Sequence, residues 1–130
     1  MARQPLHLRL LSGNLAVSRL DPQAEIPSWA VASLPFSVTR TQEELSIICP
    51  ESCVPAGIVC ERGWRILQFE GPFDFGAVGV LASVADPLAA AGISILALAT
   101  YDTDYVLVRE ALIERAVTVL RTHGHTVRAG

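Results

Sequence analysis

Hydrophobic and polar residues follow two clear periods in the C-terminal half of the chain. Over residues 64–70 (WRILQFE), apolar side chains alternate with polar ones, which predicts a β-strand that ends at Gly71. From Val78 to Leu88, apolar residues return at every third or fourth position, the spacing of one helix face. This pattern predicts an α-helix that ends at Gly92, since glycine is common just after a helix C-terminus.

Two residues qualify the prediction for this helix. Asp74 is a candidate N-cap, because its carboxylate could accept hydrogen bonds from amides two and three residues further on. Pro87 has no N–H group, so we expect it to kink the helix or to restart it with Asp86 as a second cap.

The remaining C-terminal residues predict three strands and one more helix. Ile93–Ala99 and Tyr105–Arg109 read as strands, and a helix from Glu110 is expected to end at Gly124. A short last strand follows at Thr126–Arg128. The element order is βαββαβ, a ferredoxin-like unit.

The N-terminal half contains a weaker copy of this unit. Residues 37–49 align with residues 96–108 at a constant offset of 59. Thr41 then falls on Thr100, and each segment reads as a strand, a threonine-bearing acidic turn and a second strand. The chain is therefore expected to contain two versions of one unit.

The copy is degraded in its helical parts. Pro22 and Pro27 lie where its first crossover helix should be. We therefore expect a strand at Leu15–Leu20 and at most one helical turn at Pro27–Val31.

The predicted fold class is α+β, with two tandem ferredoxin-like modules. Residues 1–62 form the N-terminal, strand-rich module and residues 63–130 the complete one. An antiparallel sheet is expected, with helices on one face. Trp29 and Trp64 are expected in the core or between modules.

Composition excludes several classes of function. The 130 residues are 51% hydrophobic and carry a net charge of −3, which argues against nucleic acid as a partner. All ten basic residues are arginine. Without lysine, Schiff-base chemistry and a Walker-type phosphate loop are excluded.

The cysteines Cys49, Cys53 and Cys60 lie close together in sequence. We expect reduced, partly buried thiols. A zinc site is the alternative, although no histidine lies near enough in sequence to be an obvious fourth ligand. His123 and His125 flank Gly124 at a helix end, where a positive charge is favoured.

No signal peptide is evident, and the most apolar stretch, 77–99, is interrupted by charged and helix-breaking residues. The expectation is a soluble cytoplasmic protein that does not bind a membrane.

The glycine-rich loop before the first helix is a candidate anion site. Gly76 and Gly79 would let a ligand approach the backbone, and the amides of Phe75, Gly76 and Ala77 could bind a carboxylate at the helix N-terminus. Alternatively, Asp74 already caps those amides and the glycines only permit close packing.

The turn Thr100–Asp104 is a candidate cation site. Asp102 and Asp104 supply negative charge, and the hydroxyls of Thr100 and Thr103 could accept hydrogen bonds from an ammonium group. The alternative is an ordinary turn with solvated acidic side chains. The same alternative applies to Glu43 in the N-terminal copy.

Several segments resemble the ACT domain family. They are GPFDFG at 71–76, LAAAGIS at 88–94 and TYDTDYVLV at 100–108. More narrowly, residues 6–128 resemble small tandem ACT proteins related to the ACT segments of aspartate kinase and to the cytosolic arginine sensors of animals. FSVTRT at 36–41 and ELSIICP at 44–50 also fit that group.

The resemblance implies a regulatory protein that binds an amino acid at an interface between modules, often across a dimer. It implies ligand contacts from Thr100 and Asp104, stacking by Tyr101, and backbone contacts from Ser37 and Val38. Two modules instead of the four in the animal sensors imply a homodimer. The full set of candidate ligand-binding residues is Ser37, Val38, Asp74, Phe75, Gly76, Val78, Gly79, Thr100, Tyr101, Asp102, Thr103 and Asp104.

No catalytic motif is present, so we expect neither enzyme activity nor a cofactor or metal. The alternatives to an amino-acid sensor are a ligand-free interaction or dimerisation module and a stand-alone regulatory fragment related to aspartate kinase.

Overall fold

The computed structural model describes residues 5–71 and 78–130, which divide into two compact units. The first unit is Gly13–Trp64. The second unit combines the residues up to Ser12 with those from Arg65 onward.

The described residues form eight strands, two α-helices and three short 3-10 turns. The strands are β1 (His7–Leu10), β2 (Leu15–Leu20), β3 (Ser37–Arg40), β4 (Leu45–Pro50), β5 (Cys60–Phe69), β6 (Ile95–Ala99), β7 (Asp104–Arg109) and β8 (Thr126–Ala129). The helices are α1 (Val80–Ala90) and α2 (Ile113–Thr122), and the 3-10 turns are Ser28–Val31, Glu51–Cys53 and Glu110–Leu112.

The second unit has the βαββαβ order predicted for the C-terminal half, running β5–α1–β6–β7–α2–β8. The N-terminal strand β1 is added between β5 and β8, where Leu8 lies beside both Phe69 and Val127. The expected modules 1–62 and 63–130 differ from the observed units chiefly in this strand. β1 pairs antiparallel with β5 and parallel with β8.

Both helices of the second unit pack on one core. Apolar residues of α1 and α2 meet those of β1, β5, β7 and β8, which explains the three- and four-residue periods in the sequence. The buried members are Leu6, Leu8, Leu67, Phe69, Val84, Leu88, Ile93, Val106, Val108, Ile113, Ala116, Leu120 and Val127.

The first unit is rich in strands, as predicted. Its strand order is β3–β4–β2–β5, and 3-10 turns replace both crossover helices. The strand at Leu15–Leu20 and the single helical turn at Ser28–Val31 confirm what the prolines indicated. The small core of this unit consists of Ala16, Ala30, Leu45, Ile47, Cys49 and Val54.

The two units repeat one hairpin at an offset of 59 residues. β4 and β7 correspond residue for residue, and so do the 3-10 turns that follow them. The strand registers agree as well, because Val38 pairs with Ile47 as Ala97 pairs with Val106. The alignment of the sequence with itself therefore located a repeated structural element.

Helix α1 begins later than expected. Its first residue is Val80, and its N-cap is Gly79, whose φ of 79° is one that glycine adopts easily. Among residues 5–71 and 78–130, no side chain caps this end. The prediction that Asp74 is the N-cap is therefore wrong. The predicted restart at Asp86 is also wrong, because one helix runs through Pro87 to Ala90.

A buried histidine compensates for the proline. Pro87 leaves the carbonyl oxygen of Ser83 without its usual helical donor, and His125 Nε2 donates to that oxygen at 2.9 Å. His125 Nδ1 accepts a hydrogen bond from the Leu6 amide at 3.0 Å. Because an amide can only donate, this pattern places the ring proton on Nε2. His125 is 6% exposed, and both of its ring nitrogens are used in these bonds to main-chain groups.

We predict that His125→Ala lowers the free energy of unfolding by about 2–4 kcal/mol, because it leaves two buried main-chain groups without partners and opens a cavity. His125→Gln should lose less than half as much, since its carboxamide can accept from Leu6 and donate to Ser83. Urea unfolding at neutral pH measures both. Equal losses in the two variants would contradict the proposed bonds.

Candidate ligand-binding site

The candidate anion site falls partly outside the described residues. Asp74, Phe75 and Gly76 lie there, whereas Val78 and Gly79 are described. Val78 is 96% exposed immediately before the helix. The N-terminus of α1 lies at Val80, not at the amides proposed from the sequence.

The first turn of α1 contains the amides of residues 80–82. The Ser83 N–H is bonded to the Gly79 carbonyl oxygen at 2.9 Å, which closes the first helical turn. The preceding amides have no partner within the helix, and the helix dipole adds partial positive charge there. An anion that approaches α1 would meet those three amides.

The candidate cation site is a compact turn held by threonine hydroxyls. The Thr100 amide and hydroxyl both donate to the Thr103 carbonyl oxygen, each at 2.9 Å. The Thr103 amide donates back to the Thr100 hydroxyl at 3.3 Å. The hydroxyl of Thr103 donates to the Phe69 carbonyl oxygen at 2.7 Å, which ties the turn to the end of β5.

This network gives the two threonines a structural role in the turn. The Thr100 hydroxyl is already both donor and acceptor within the turn. Thr103 is only 8% exposed. Their hydroxyls therefore shape the turn, and the exposed Thr100 hydroxyl keeps a second lone pair that could accept a hydrogen bond from an ammonium group.

The turn presents its other side chains outward. Tyr101 is 81% exposed, Asp102 is exposed, and Asp104 is half-buried at the start of β7. Within the described chain, neither aspartate forms an ion pair with an arginine or histidine. The structure brings the five predicted residues of this turn together, and no described residue supplies a cationic partner for its two negative charges.

The first unit contains the same turn with different electrostatics. The Thr41 amide donates to the Glu44 carbonyl oxygen at 2.9 Å, as Thr100 does to Thr103. The Glu44 carboxylate, however, lies 3.5 Å from the Arg19 guanidinium. This pairing supports the interpretation of the N-terminal acidic turn as a surface feature.

Ser37 and Val38 lie in the first unit, on β3. Val38 packs against the core of that unit, and Ser37 is half-buried opposite Ile48. The other described candidates, Val78–Gly79 and Thr100–Asp104, belong to the second unit.

The surface depressions found in the first unit do not involve these candidates. One of about 580 Å³ is lined by Pro22, Gln23, Arg40, Thr41 and Gln42. Another of about 210 Å³ lies among residues of β2, β4 and β5.

The cysteines are free thiols, with Cys49 buried and Cys53 and Cys60 half-buried. Burial raises the pKa of the Cys49 thiol, and the neighbouring cysteines add to this effect. Over residues 5–71 and 78–130, no group of three or more His, Cys, Asp or Glu side chains has the arrangement of a metal site. In the same residues, no helix has the length and apolar character needed to cross a bilayer.

Sequence reasoning missed a charged cluster on the second unit. Arg9 and Arg128 are neighbours on β1 and β8, and both donate to Oε1 of Glu70, with Arg9 Nη2 at 3.4 Å and Arg128 Nε at 2.9 Å. The hydrogen bond from Arg128 is the main cause that lowers the pKa of the Glu70 carboxyl from its ordinary value. Only the strand pairing, which joins residues 119 positions apart, could have placed these arginines together.

Family models match most of the chain. A model described as an ACT domain matches residues 59–122, and a second model, of an N-terminal domain, matches residues 13–57. The boundary between the two matches lies close to the end of the first unit.

A curated relative and two solved structures are also similar. The cytosolic arginine sensor for mTORC1 subunit 1 from Bos taurus is 39% identical over 58% of this chain and 26% of its own length, so this chain spans about a quarter of that relative. Protein Atu0741 from Agrobacterium tumefaciens is 34% identical, with a TM-score of 0.93 over 98% of this chain and 96% of its own. The regulatory subunit of aspartate kinase from Thermus thermophilus shares the fold, with 11% sequence identity and a TM-score of 0.60. The match covers 90% of this chain and 94% of the length of that subunit.

We predict that Thr103→Val lowers the free energy of unfolding by about 1–2 kcal/mol, because the Phe69 carbonyl oxygen loses its hydroxyl donor. Thr103→Ser keeps the hydroxyl and should retain most of the stability. Urea unfolding compares the two variants. A Thr103→Val variant as stable as the parent would contradict the role given to this bond.

Proposed function

Because this chain belongs to the ACT domain family, we propose that it is a non-catalytic regulatory protein that binds a free amino acid. The observation that carries the proposal is the rigid turn at 100–104, with two carboxylates that lack a cationic partner in the described residues. Such a site attracts an ammonium group. The arginine-sensor name of one relative and the regulatory-subunit name of another support the same class of function.

The α-carboxylate of the ligand is assigned to the N-terminus of α1. The amides of residues 80–82, which have no partner within the helix, and the positive end of the helix dipole favour an anion there. The adjoining residues Val78 and Gly79, with Asp74, Phe75 and Gly76 before them, form the proposed carboxylate-binding segment.

The ammonium group of the ligand is assigned to the acidic turn. Asp102 and Asp104 supply the charge, and Thr100 and Thr103 hold the turn in shape. The ring of Tyr101, which is 81% exposed, is assigned to stack on the ligand side chain. Ser37 and Val38 are additional proposed contacts, on the basis of the ACT resemblance alone.

Regulation follows if the ligand binds two arrangements of a homodimer with different affinities. Ligand binding then shifts the population toward the arrangement that it prefers, by no more than the difference in binding free energy. The homodimer and a cytoplasmic location are parts of this proposal.

We predict that at least one of the twenty amino acids raises the melting temperature at millimolar concentration. A ligand present at 100 times its Kd stabilises the folded state by about 2.7 kcal/mol. Asp104→Ala and Asp102→Ala should each weaken binding at least about tenfold, because a charge-assisted contact is worth about 1.5–3 kcal/mol. Thermal shift finds the ligand, and calorimetry measures its Kd.

Glu43→Ala is the matched control, since Glu43 occupies the position of Asp102 in the first unit. It should leave the Kd unchanged. The N-acetylated form of the ligand, which has no ammonium group, should bind no better to the parent than to Asp104→Ala. The proposal fails if no amino acid stabilises the parent, or if Glu43→Ala and Asp102→Ala lose affinity equally.

A second candidate function is a ligand-free interaction module. It is favoured by the exposed apolar side chains of Ile26, Val31, Leu34 and Phe36 in the first unit. This function predicts that amino acids leave the melting temperature unchanged while a protein partner raises it.

A further inference from the structure

The three free thiols of the first unit lie around one small core. Cys49 is a buried member of that core, and Cys53 and Cys60 are half-buried and pack against it. Burial is the main cause that raises the pKa of the Cys49 thiol, and the proximity of Cys53 and Cys60 adds to the effect. The three thiols are therefore neighbours in space.

A buried hydroxyl group lies opposite Cys60 without a hydrogen-bond partner. Ser18 on β2 pairs with Cys60 on β5, so the two side chains project from the same face of the sheet. Ser18 is 1% exposed, and among the described residues no group forms a hydrogen bond with its Oγ atom. Because an unpartnered buried hydroxyl costs stability, such a group points to a function that requires it.

A surface depression gives access to this pair of residues. The depression of about 210 Å³ has both Ser18 and Cys60 in its lining. A small solute can therefore approach Cys60, whereas Cys49 is buried in the core. Accessibility and a nearby second thiol are two features of the cysteines that oxidants modify reversibly.

The second half-buried thiol, Cys53, is held near the start of β5. The Arg62 guanidinium donates to the carbonyl oxygens of Glu51 and Val54, on either side of Cys53, at 2.9 and 3.2 Å. The Glu51 carboxylate also accepts a hydrogen bond from the main chain of β5 at 2.9 Å. These bonds fasten the 3-10 turn to the strand that begins with Cys60, and a short loop connects the two cysteines.

We propose that Cys60 is a site of reversible oxidation by a hydroperoxide, with Ser18 as a positioning residue and Cys53 as the second thiol. The Cys60 thiolate attacks one peroxide oxygen, so an S–O bond forms while the O–O bond breaks. The leaving oxygen takes a proton and departs as water or an alcohol. The Ser18 hydroxyl then donates a hydrogen bond to the new sulfenic oxygen, which is the partner that it lacks in the reduced protein.

Cys53 completes the reaction. Its thiolate attacks the Cys60 sulfur, an S–S bond forms, and the sulfenic oxygen takes a proton and leaves as water. The two thiols have then lost two electrons and two protons, which the hydroperoxide has gained. Cys49 is the poorer nucleophile, because burial raises the pKa of its thiol and thus disfavours the thiolate. The product places the first unit under redox control, beyond any amino-acid binding by the second.

The test is the oxidation of the folded protein by hydrogen peroxide, followed by mass spectrometry of its peptides. The parent should lose two hydrogen atoms and form a disulfide between Cys53 and Cys60, which dithiothreitol reverses. Cys53→Ser should instead hold a sulfenic acid at Cys60, which dimedone traps. Cys49→Ala, which keeps both reacting thiols, should form the same disulfide as the parent.

The role of Ser18 is measured by the rate of the first step. Ser18→Ala removes an unpartnered hydroxyl, so this variant should be at least as stable to urea as the parent. Its Cys60 should nevertheless react about three to ten times more slowly, because one hydrogen bond to the developing sulfenic oxygen is lost. Ser46→Ala is the matched control, since Ser46 lines the same depression but lies opposite Arg19. It should react at the parent's rate.

Three results would each overturn the inference: a disulfide that includes Cys49, a Cys60→Ser variant oxidised as fast as the parent, or a Ser18→Ala variant that reacts as fast as the parent. If Cys53→Ser does not fold, the peptide map of the parent decides alone. The thiols belong to the first unit and the acidic turn to the second. Oxidation without any amino acid present therefore tests this inference separately from the proposed function.

Discussion

One buried hydroxyl group orders the region on which the functional account depends. Thr103 donates to the Phe69 carbonyl oxygen and thereby fixes the acidic turn to the end of β5. Together with the Thr100 hydroxyl, it sets the backbone between Asp102 and Asp104 before any ligand arrives. A preorganised turn spends less binding free energy on ordering itself, which is a requirement for the recognition of a small zwitterion.

The two repeats show how one hairpin can serve two purposes. In both turns the amide and the hydroxyl of a threonine donate to the carbonyl oxygen three residues further on, so the two turns have the same main-chain hydrogen bonding. In the first unit Arg19 forms an ion pair with Glu44 of the acidic turn, and the adjacent strand β3 ends in a charged residue. In the second unit the acids have no cationic partner among the described residues and the adjacent strand β6 is apolar. These differences in side chains favour the second unit for the proposed amino-acid binding.

The sequence alone predicted those parts of the fold that depend on local patterns. The alternation of apolar and polar residues located the strands of the second unit, and apolar residues at every third or fourth position located its helices. The offset of 59 residues matched β4 to β7 residue for residue. Prolines correctly indicated that the first unit has lost its helices. In each case the controlling interaction lies within a few residues in the chain.

The errors came from interactions between residues far apart in sequence. Pro87 stays within α1 because His125, 42 positions after Ser83, supplies the missing donor. Strand β1 joins the second unit because its pairing partners are β5 and β8, at the other end of the chain. The site was likewise only partly predictable. The sequence located the acidic turn, but not the hydrogen bond from the Thr103 hydroxyl to Phe69, which is distant in sequence. The start of the helix was misplaced because Asp74 is a more familiar cap than Gly79.

The most direct test of the account is a nuclear magnetic resonance titration with the amino acid that stabilises the protein. The account predicts that the backbone amide resonances of residues 80–82 and 100–104 shift together and saturate at one Kd, while those of residues 41–45 in the equivalent turn of the first unit stay unchanged. Equal shifts in the two turns, or shifts confined to other parts of the chain, would contradict it.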